Sequence, residues 1–376
     1  MAETASRLLG RRRGEPELDA KLRAHDNNFD ALRLLFAVVV LFSHSYALLG
    51  KPDELFAMLL GYDTGGGFAV AGFFVISGFL VARSALSSGL RRYAAGRVLR
   101  IVPALAVVSI LCVLVVGPLT TQLSLVEYFS RPATWNYLNN ALIFPLRFVL
   151  PGVFAGNPLQ AVNGSLWTLP IETAMYIGLP LLVAAGLLSR VGIVLMLAAV
   201  SAGLYLGTAY WGLSWDNPGP SPIHNVPLFN LLKFGFFFVA GALLYVHRGS
   251  VPLSPVLAAG VLILWAALHH TPAGLLAWYL GLPYLVFFFG FKGGGLGAFF
   301  AKHGDLSYGV YIYAFPVQQS VIHALGAQLG IASLTLASLA PTLVLAYCSW
   351  HLVERPALTW KARWSSPRRA MAASVP

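Results

Sequence analysis

The chain has 376 residues, of which 57% are hydrophobic and only 10% are charged, whereas an ordinary soluble domain has roughly 25% charged residues. A fold surrounded by water cannot bury this much apolar surface, so the composition excludes a soluble globular protein and indicates an integral membrane protein. The formal net charge of +11 does not indicate nucleic-acid binding, because the basic residues stand in short segments between apolar runs and form no nucleic-acid-binding module.

The chain opens with a basic segment, residues 1–28, which we expect to be a retained cytoplasmic tail. The apolar run that follows is too long for the core of a signal peptide and carries no small-residue cleavage site. An apolar run of about 20 residues is long enough for a helix that crosses a membrane. The sequence therefore predicts an all-α, polytopic membrane protein of about ten transmembrane helices, over residues 30–49, 66–84, 98–117, 167–188, 191–209, 228–247, 253–270, 273–291, 307–327 and 332–353.

A weaker apolar run over residues 135–154 is interrupted by polar residues and prolines, namely Asn139, Asn140, Pro145, Arg147 and Pro151. We predict a partly membrane-embedded loop there. An eleventh crossing is the alternative interpretation.

The positions of lysine and arginine predict the orientation of the chain. Basic residues stand in the tails and in every second loop, whereas the other loops contain only Lys51, Arg131 and Arg147. Loops rich in lysine and arginine stay in the cytoplasm. Ten crossings therefore place both termini in the cytoplasm, including a second basic tail over residues 359–376.

The first predicted span carries Asp30 and Arg33 at one end and His44 near the other, and we consider Arg33 and His44 first. They stand 11 positions apart, which in a helix is about 16 Å along the axis and within roughly 20° of one face. Such residues at membrane depth usually mark function or pairing. The alternatives are that Arg33 is an anchor whose charge reaches the interface and that His44 is a hydrogen-bonded packing residue.

The fourth predicted span carries Glu172 just after Pro170. Proline is favoured in the first turn of a helix, so Glu172 lies in that turn. One interpretation is an acid that complements the positive end of the helix. Because this is the outer end, we also expect Glu172 at about the depth of His44, where its carboxylate could orient the imidazole as a general base.

Arg97 and Arg100 lie one turn apart at the cytoplasmic end of the third span, close to Arg91 and Arg92. Guanidinium groups in this arrangement suit phosphate oxygens. The alternative is an ordinary basic cluster that only sets the topology.

The second span is rich in small residues, which permit close approach between membrane helices. These residues are Gly67, Ala71, Gly72, Ser77 and Gly78. Packing is the favoured interpretation, and a position of Ser77 beside the substrate is the second. Histidine spacing typical of a metal site is absent from the sequence, so we expect no metal.

Six stretches, in this order, resemble the acyltransferase 3 family of multi-pass membrane acyltransferases. They are FDALRLLFAVVVLFSHS, GGFAVAGFFVISGFLVARS, RVLRIVP, NGSLWTLPIETAMYI, GDLSYGVYIYAFPV and HLVERPA. The resemblance covers residues 29–358, which we predict to form one transmembrane domain.

The resemblance implies an enzyme that moves an acyl group, often acetyl, from cytoplasmic acyl-coenzyme A to a hydroxyl of a carbohydrate or glycolipid at the outer side of the membrane. It implies a place among membrane lipids in the inner membrane of a bacterial cell. Arg97 and Arg100 match the family positions that would bind the phosphates of the coenzyme. Trp167, in the stretch before Glu172, is a candidate for substrate binding.

The resemblance also assigns the catalytic residues: His44, Arg33 and Glu172, with Asp30 fixing Arg33 by an ion pair. His44 would either deprotonate the acceptor hydroxyl or take the acyl group itself and pass it on. The sequence favours neither route, and it leaves open whether the chain forms a homo-oligomer.

A function of another class is the alternative. Polar residues would also line the path of a transporter or flippase for a lipid-linked saccharide, but the scarcity of embedded acids disfavours ion coupling. A membrane scaffold would leave Glu172 and the shared face of Arg33 and His44 unexplained.

Overall fold

The computed structural model describes residues 18, 22, 26–223, 226–292 and 304–365. Most of the two predicted tails, 1–28 and 359–376, lies outside these residues. In the described part of the chain the fold is built from helices, with only isolated bridges between extended residues.

Ten long helices occupy the ten predicted positions, which confirms the all-α polytopic fold. They are α1 Phe29–Leu48, α2 Gly65–Ser87, α3 Leu90–Thr120, α4 Leu169–Ala184, α5 Arg190–Trp211, α6 Leu228–Val246, α7 Pro255–Leu268, α8 Pro272–Phe291, α9 Ser307–Leu325 and α10 Ile331–Ser349. Across the described ranges, eight helices are long and apolar enough to cross a membrane by length and composition. The two that fall short of that criterion are α7, with 14 residues, and α9, whose apolar character is reduced by residues such as Gln318 and Gln319.

Short helices stand between and after these elements. They are Leu55–Leu60, Leu125–Ser130, Pro132–Asn136, the 3-10 helices Tyr137–Leu142 and Gly164–Thr168, and Arg355–Ser365, which follows α10 after a π-helical turn at Trp350–Glu354. The side chain of Glu54 accepts hydrogen bonds from the backbone amides of Ala57 and Gly65. One carboxylate thereby supports the starts of both Leu55–Leu60 and α2.

The run over residues 135–154, all described, contains no helix long enough to cross a membrane. The alternative of an eleventh spanning helix is therefore wrong. The side chain of Asn140 holds residues 140–147 in a loop. It accepts a hydrogen bond from the backbone N–H of Arg147 at 2.7 Å and donates one to the C=O of Arg147 at 2.8 Å. Asparagine side chains compete in this way with helical hydrogen bonds.

The small residues of α2 allow it to pack closely against α6. A Cβ on Gly78 would lie 1.9 Å from the carbonyl oxygen of Phe238, and a Cβ on Gly241 would lie 2.1 Å from that of Val75. Only glycine fits at both points, so the two backbones touch in an antiparallel pair. The packing interpretation is confirmed at Gly78, whereas the hydroxyl of Ser77 makes hydrogen bonds with Glu172 and Tyr176.

Contacts along the chain define two ends of the bundle. Arg33 of α1 lies near Asp305, just before α9, whereas Ser45 near the end of α1 bonds Gln318 of α9, so these two helices run parallel. We name the end that carries Arg33 and Asp305 the proximal end, and the end that carries Leu48 and Gly65 the distal end. The prediction from basic residues assigns the proximal end to the cytoplasm.

Candidate active site

A small cavity of about 100 Å³ lies in the proximal half of the bundle, and we name it the arginine cavity. Three arginines reach its wall from two helices: Arg33 of α1, and Arg97 and Arg100 of α3. Glu172 of α4 faces them across the cavity. The structure thus brings together residues from three separate predicted spans.

Two of these arginines share a carboxylate that the sequence did not single out. Asp305 Oδ2 accepts a hydrogen bond from Arg100 and another, at 3.3 Å, from Arg33. Burial by itself raises the pKa of Asp305, but the positive charges of Arg100 and Arg33 outweigh it and hold that pKa below its ordinary value. The predicted ion pair between Arg33 and Asp30 is also present, at 3.5 Å.

Arg100 has a second acidic partner, because its Nη1 lies 3.5 Å from Glu354 Oε2. The Glu354 residue is 1% exposed. Two carboxylates therefore neutralise this guanidinium, which leaves it little capacity to bind a phosphate. The equal role that the sequence predicted for Arg97 and Arg100 does not match this geometry, since the motif alone cannot show which acids fold against it.

Arg97 differs from Arg100 in having no acidic partner among the described residues. Its guanidinium lies over the ring of Tyr176, 5.4 Å from the ring centre, and its buried Nε has no hydrogen-bond partner. A buried donor without a partner is unfavourable unless a ligand completes it. Arg97 is the cation in this cavity that remains available to an anion.

Glu172 lies deeper in the bundle than the sequence predicted. Its carboxylate accepts a hydrogen bond from Ser77 Oγ at 3.3 Å, halfway along α2, and another from Tyr176. Tyr176 in turn is bonded through its carbonyl to Tyr93 of the first turn of α3. Glu172 thus belongs to the proximal half, and the expected pairing with His44 is wrong for this structure.

The cause of this error is the chain before α4. Asn157 and Asn163 donate hydrogen bonds to the backbone of α9 at Gln319 and Ile312, so residues 157–163 already run inside the bundle. The 3-10 helix Gly164–Thr168 leads directly into α4, and the two form a helical run of 21 residues, long enough to cross a membrane. Glu172 is the ninth residue of that run. The helix starts inside the bundle, at a depth that hydropathy alone does not reveal.

His44 lines a second and larger cavity in the distal half, of about 610 Å³, which we name the histidine cavity. The imidazole packs edge-on against the ring of Phe315 in α9, with ring centres 5.2 Å apart. Its buried Nδ1 has no hydrogen-bond partner in the described part of the chain. Arg33 contacts Asp305, just before α9, and His44 contacts Phe315 within α9. The predicted shared face of α1 is therefore confirmed, although the two residues line different cavities.

Trp167, the candidate for substrate binding, lies in the wall of the histidine cavity. Its ring contacts those of Trp215 and Phe234 at 6.0 and 5.7 Å. It therefore lines the same cavity as His44, whereas its neighbour Thr168 lines the arginine cavity.

The arginine and histidine cavities meet at two shared residues, Val70 and Tyr311. The hydroxyl groups of Tyr311 and Thr168 are hydrogen-bonded at 2.7 Å, and the Tyr311 ring packs edge-on against Phe73. Tyr311 thus separates the arginine cavity from the histidine cavity. In the sequence, Tyr311 is marked only by its place in the stretch GDLSYGVYIYAFPV.

Comparison with known proteins decides the family. The family model of the acyltransferase domain, acyltransferase 3, matches residues 26–351. The chain belongs to the acyltransferase 3 family. This acyltransferase is 34% identical over 344 residues to an O-acetyl transferase of Shigella phage Sf6, a match that covers 89% of the chain and 96% of that relative.

The acyltransferase is also 30% identical over 382 residues to nodulation protein 10 of Rhizobium leguminosarum bv. viciae, which covers 93% of the chain and 97% of that relative. No solved structure matches the chain. The resemblance stated from the six sequence stretches is confirmed, and the protein is a multi-pass membrane enzyme of the O-acetyltransferase kind. This assignment favours transfer chemistry over the alternative of a transporter or flippase.

Proposed function

We propose that the acyltransferase takes an acetyl group from acetyl-coenzyme A at the proximal, cytoplasmic end and transfers it to a carbohydrate hydroxyl at the distal, outer end. The observation that carries the proposal is the arrangement of two cavities in one bundle. Arginines line the arginine cavity at the proximal side and His44 lines the histidine cavity at the distal side, and the two cavities meet at Tyr311 and Val70. The family assignment and the O-acetyl transferase relative support the same chemistry.

Arg97 is the residue best suited to the donor. No acid of the described chain pairs with its guanidinium, and coenzyme A carries phosphates that pair well with guanidinium groups. Arg33 and Arg100 are held in place by Asp305 and form the wall beside the thioester. The arginine cavity, at about 100 Å³, has room for the thioester end of the donor and not for the whole coenzyme.

His44 is the proposed general base. Its imidazole would take the proton of the acceptor hydroxyl, whose oxygen attacks the thioester carbonyl carbon. The new C–O bond forms, the C–S bond breaks, and the coenzyme leaves as a thiolate that receives the proton from the imidazolium. His44 lines the histidine cavity, and no hydrogen bond to a described residue occupies its Nδ1, so the imidazole is not committed to a partner in this part of the chain.

A two-step route uses the same residues. The imidazole would first attack the thioester carbonyl carbon, so that the C–S bond breaks and the coenzyme leaves as a thiolate, with an acyl-histidine as the other product. The acceptor hydroxyl oxygen would then attack the acyl carbon, the C–N bond would break, and the hydroxyl proton would pass through the freed imidazole to the thiolate. In both routes the thioester arm must reach the histidine cavity, so the Tyr311 ring must move away from Thr168. Glu172, held by Ser77 and Tyr176, would line the approach of the thioester and not orient His44.

The proposal is tested by coenzyme A release from acetyl-coenzyme A in purified enzyme supplied with candidate saccharides. Comparing the surface glycans of cells with and without the gene by mass spectrometry identifies the acceptor through the lost acetyl mass. Without acceptor, an acetyl group trapped on His44 supports the two-step route. Unchanged glycans, together with no coenzyme A release from any saccharide tested, would refute the proposal.

A further inference from the structure

A third cavity of about 450 Å³ lies between α5, α6 and α8, and we name it the lateral cavity. Its lining residues on all three helices, among them Ser201, Lys233 and Leu276, belong to the distal half of the bundle. Several of them, such as Tyr205 and Leu276, are more than 60% exposed on the outer wall of the bundle. The cavity therefore opens sideways, toward the surrounding lipid.

The lateral cavity is continuous in lining with the histidine cavity. Tyr62, Asp63 and Trp215 form part of the wall of both. A molecule that entered from the side would pass these three residues before it reached His44. The two cavities together give a route from lipid to the proposed general base.

A buried ion pair stands at this junction, and the chemistry proposed above does not use it. Lys233 Nζ lies 2.8 Å from Asp63 Oδ2, and their side chains are 4% and 2% exposed. The ammonium group also lies over the ring of Trp215, 4.3 Å from its centre. Charges buried at membrane depth are unfavourable and usually mark a ligand path or a functional site.

The junction has the chemistry of a sugar site. Trp215 is 41% exposed and offers its ring to the two cavities, and the C–H face of a pyranose packs on such rings. The Asp63–Lys233 pair supplies fixed charge for the hydroxyl groups. The outer part of the lateral cavity is apolar instead, with Leu204, Leu275 and Leu280 in its wall.

This pattern points to an amphiphilic ligand. We propose that the lateral cavity holds the apolar anchor of a lipid-linked saccharide, and that Trp215 and the Asp63–Lys233 pair position its sugar head for His44. The inference rests on the proposed function and names the class of acceptor. A fourth cavity on the surface of the bundle, of about 600 Å³, has no charged residue in its lining and provides a control.

The test uses a dodecyl maltoside whose alkyl chain carries a photoreactive diazirine, with the full chain in lipid nanodiscs. We expect cross-links within residues 201–215 and 272–280. Unlabelled dodecyl maltoside should compete for them and free maltose should not, because the sugar alone lacks the anchor. Cross-links spread evenly over the lipid-facing helices, without competition, would overturn the inference.

Variants sharpen the result. Leu276→Trp fills the lateral cavity and should lower cross-linking about tenfold, whereas Leu345→Trp in the fourth cavity should leave it unchanged. Trp215→Ala should raise the dodecyl maltoside concentration needed for competition. Trp211→Ala, a substitution at a 68% exposed position of α5 outside the cavity lining, should not. Equal cross-linking of Leu276→Trp and Leu345→Trp, or equal competition in Trp215→Ala and Trp211→Ala, would contradict the proposed site.

The cross-linking readout needs no acetyl transfer, so the two proposals can fail separately. Cross-links that match the expectation support the site even if coenzyme A is never released. Absent or unspecific cross-links, together with normal coenzyme A release, overturn the site and leave the proposed function standing.

Discussion

The two arginines of the RVLR motif should respond differently to the same substitution. Arg97 has no acidic partner among the described residues, whereas Arg100 is paired with Asp305 and Glu354. Arg97→Gln should therefore weaken donor binding and leave stability intact. Arg100→Gln should chiefly reduce stability.

The magnitudes follow from these surroundings. A hydrogen bond to a charged group contributes roughly 1.5–3 kcal/mol, so loss of Arg97 should raise the KM for acetyl-coenzyme A about 10- to 100-fold. Removing one partner of a buried ion pair costs about 3–5 kcal/mol. Loss of Arg100 leaves the 1% exposed side chain of Glu354 without this partner, but the Arg100 side chain itself is 20% exposed. We therefore expect the loss of unfolding free energy to lie near the lower limit of that range.

Two measurements separate these effects in the purified protein. Coenzyme A release against acetyl-coenzyme A concentration gives KM, and thermal unfolding in detergent gives Tm. We expect Arg100→Gln to lower Tm by about 6 °C or more and Arg97→Gln to leave Tm within about 2 °C. If Arg97→Gln lowered Tm as much as Arg100→Gln and left KM unchanged, the assignment of separate roles would be wrong.

Three further outcomes are expected. His44→Ala should abolish coenzyme A release while the protein inserts and elutes as the wild type does; near-normal turnover of a well-expressed variant would remove His44 from the chemistry. Gly78→Ala forces a Cβ against the α6 backbone and should destabilise by roughly 1–3 kcal/mol, whereas Gly178→Ala, with nothing within 4 Å of its added Cβ, should not lower Tm. The pKa of Asp305 lies below its ordinary 3.8, so the stability that its carboxylate contributes should persist at neutral pH and disappear only as the pH falls through that lowered pKa. Asp305→Asn should lower Tm at pH 7 and remove the part of the fall in Tm at acid pH that Asp305 causes. A pH profile of Tm identical to that of the wild type would contradict this role of Asp305.

The depth of Glu172 in the bundle could not be predicted from the sequence. Hydropathy located α4 and Pro170 located its first turn, but the depth of that turn depends on residues 157–163, which fold along α9. These residues carry no hydrophobic periodicity. Their position is set by the hydrogen bonds of two asparagines, which the sequence cannot assign to partners more than 140 residues away.

The buried acids were missed for a related reason. Asp305 and Asp63 lie in connections just before α9 and α2, where an acid is ordinarily a solvated loop residue. Tertiary packing buries them against Arg100 and Lys233. A search for acids only within the predicted spans could not have found either one.

By itself, the sequence determined the all-α membrane fold, the positions of ten helices, the close packing of α2 and the shared face of Arg33 and His44. These properties depend on composition and on periodicity along one helix, which are local. The tertiary structure alone decided that the arginines and His44 line separate cavities and that Tyr311 divides them. It also decided that, of the three arginines in the arginine cavity, Arg97 is the one without an acidic partner among the described residues. Such facts depend on which side chains meet from distant helices, and no short-range pattern encodes those meetings.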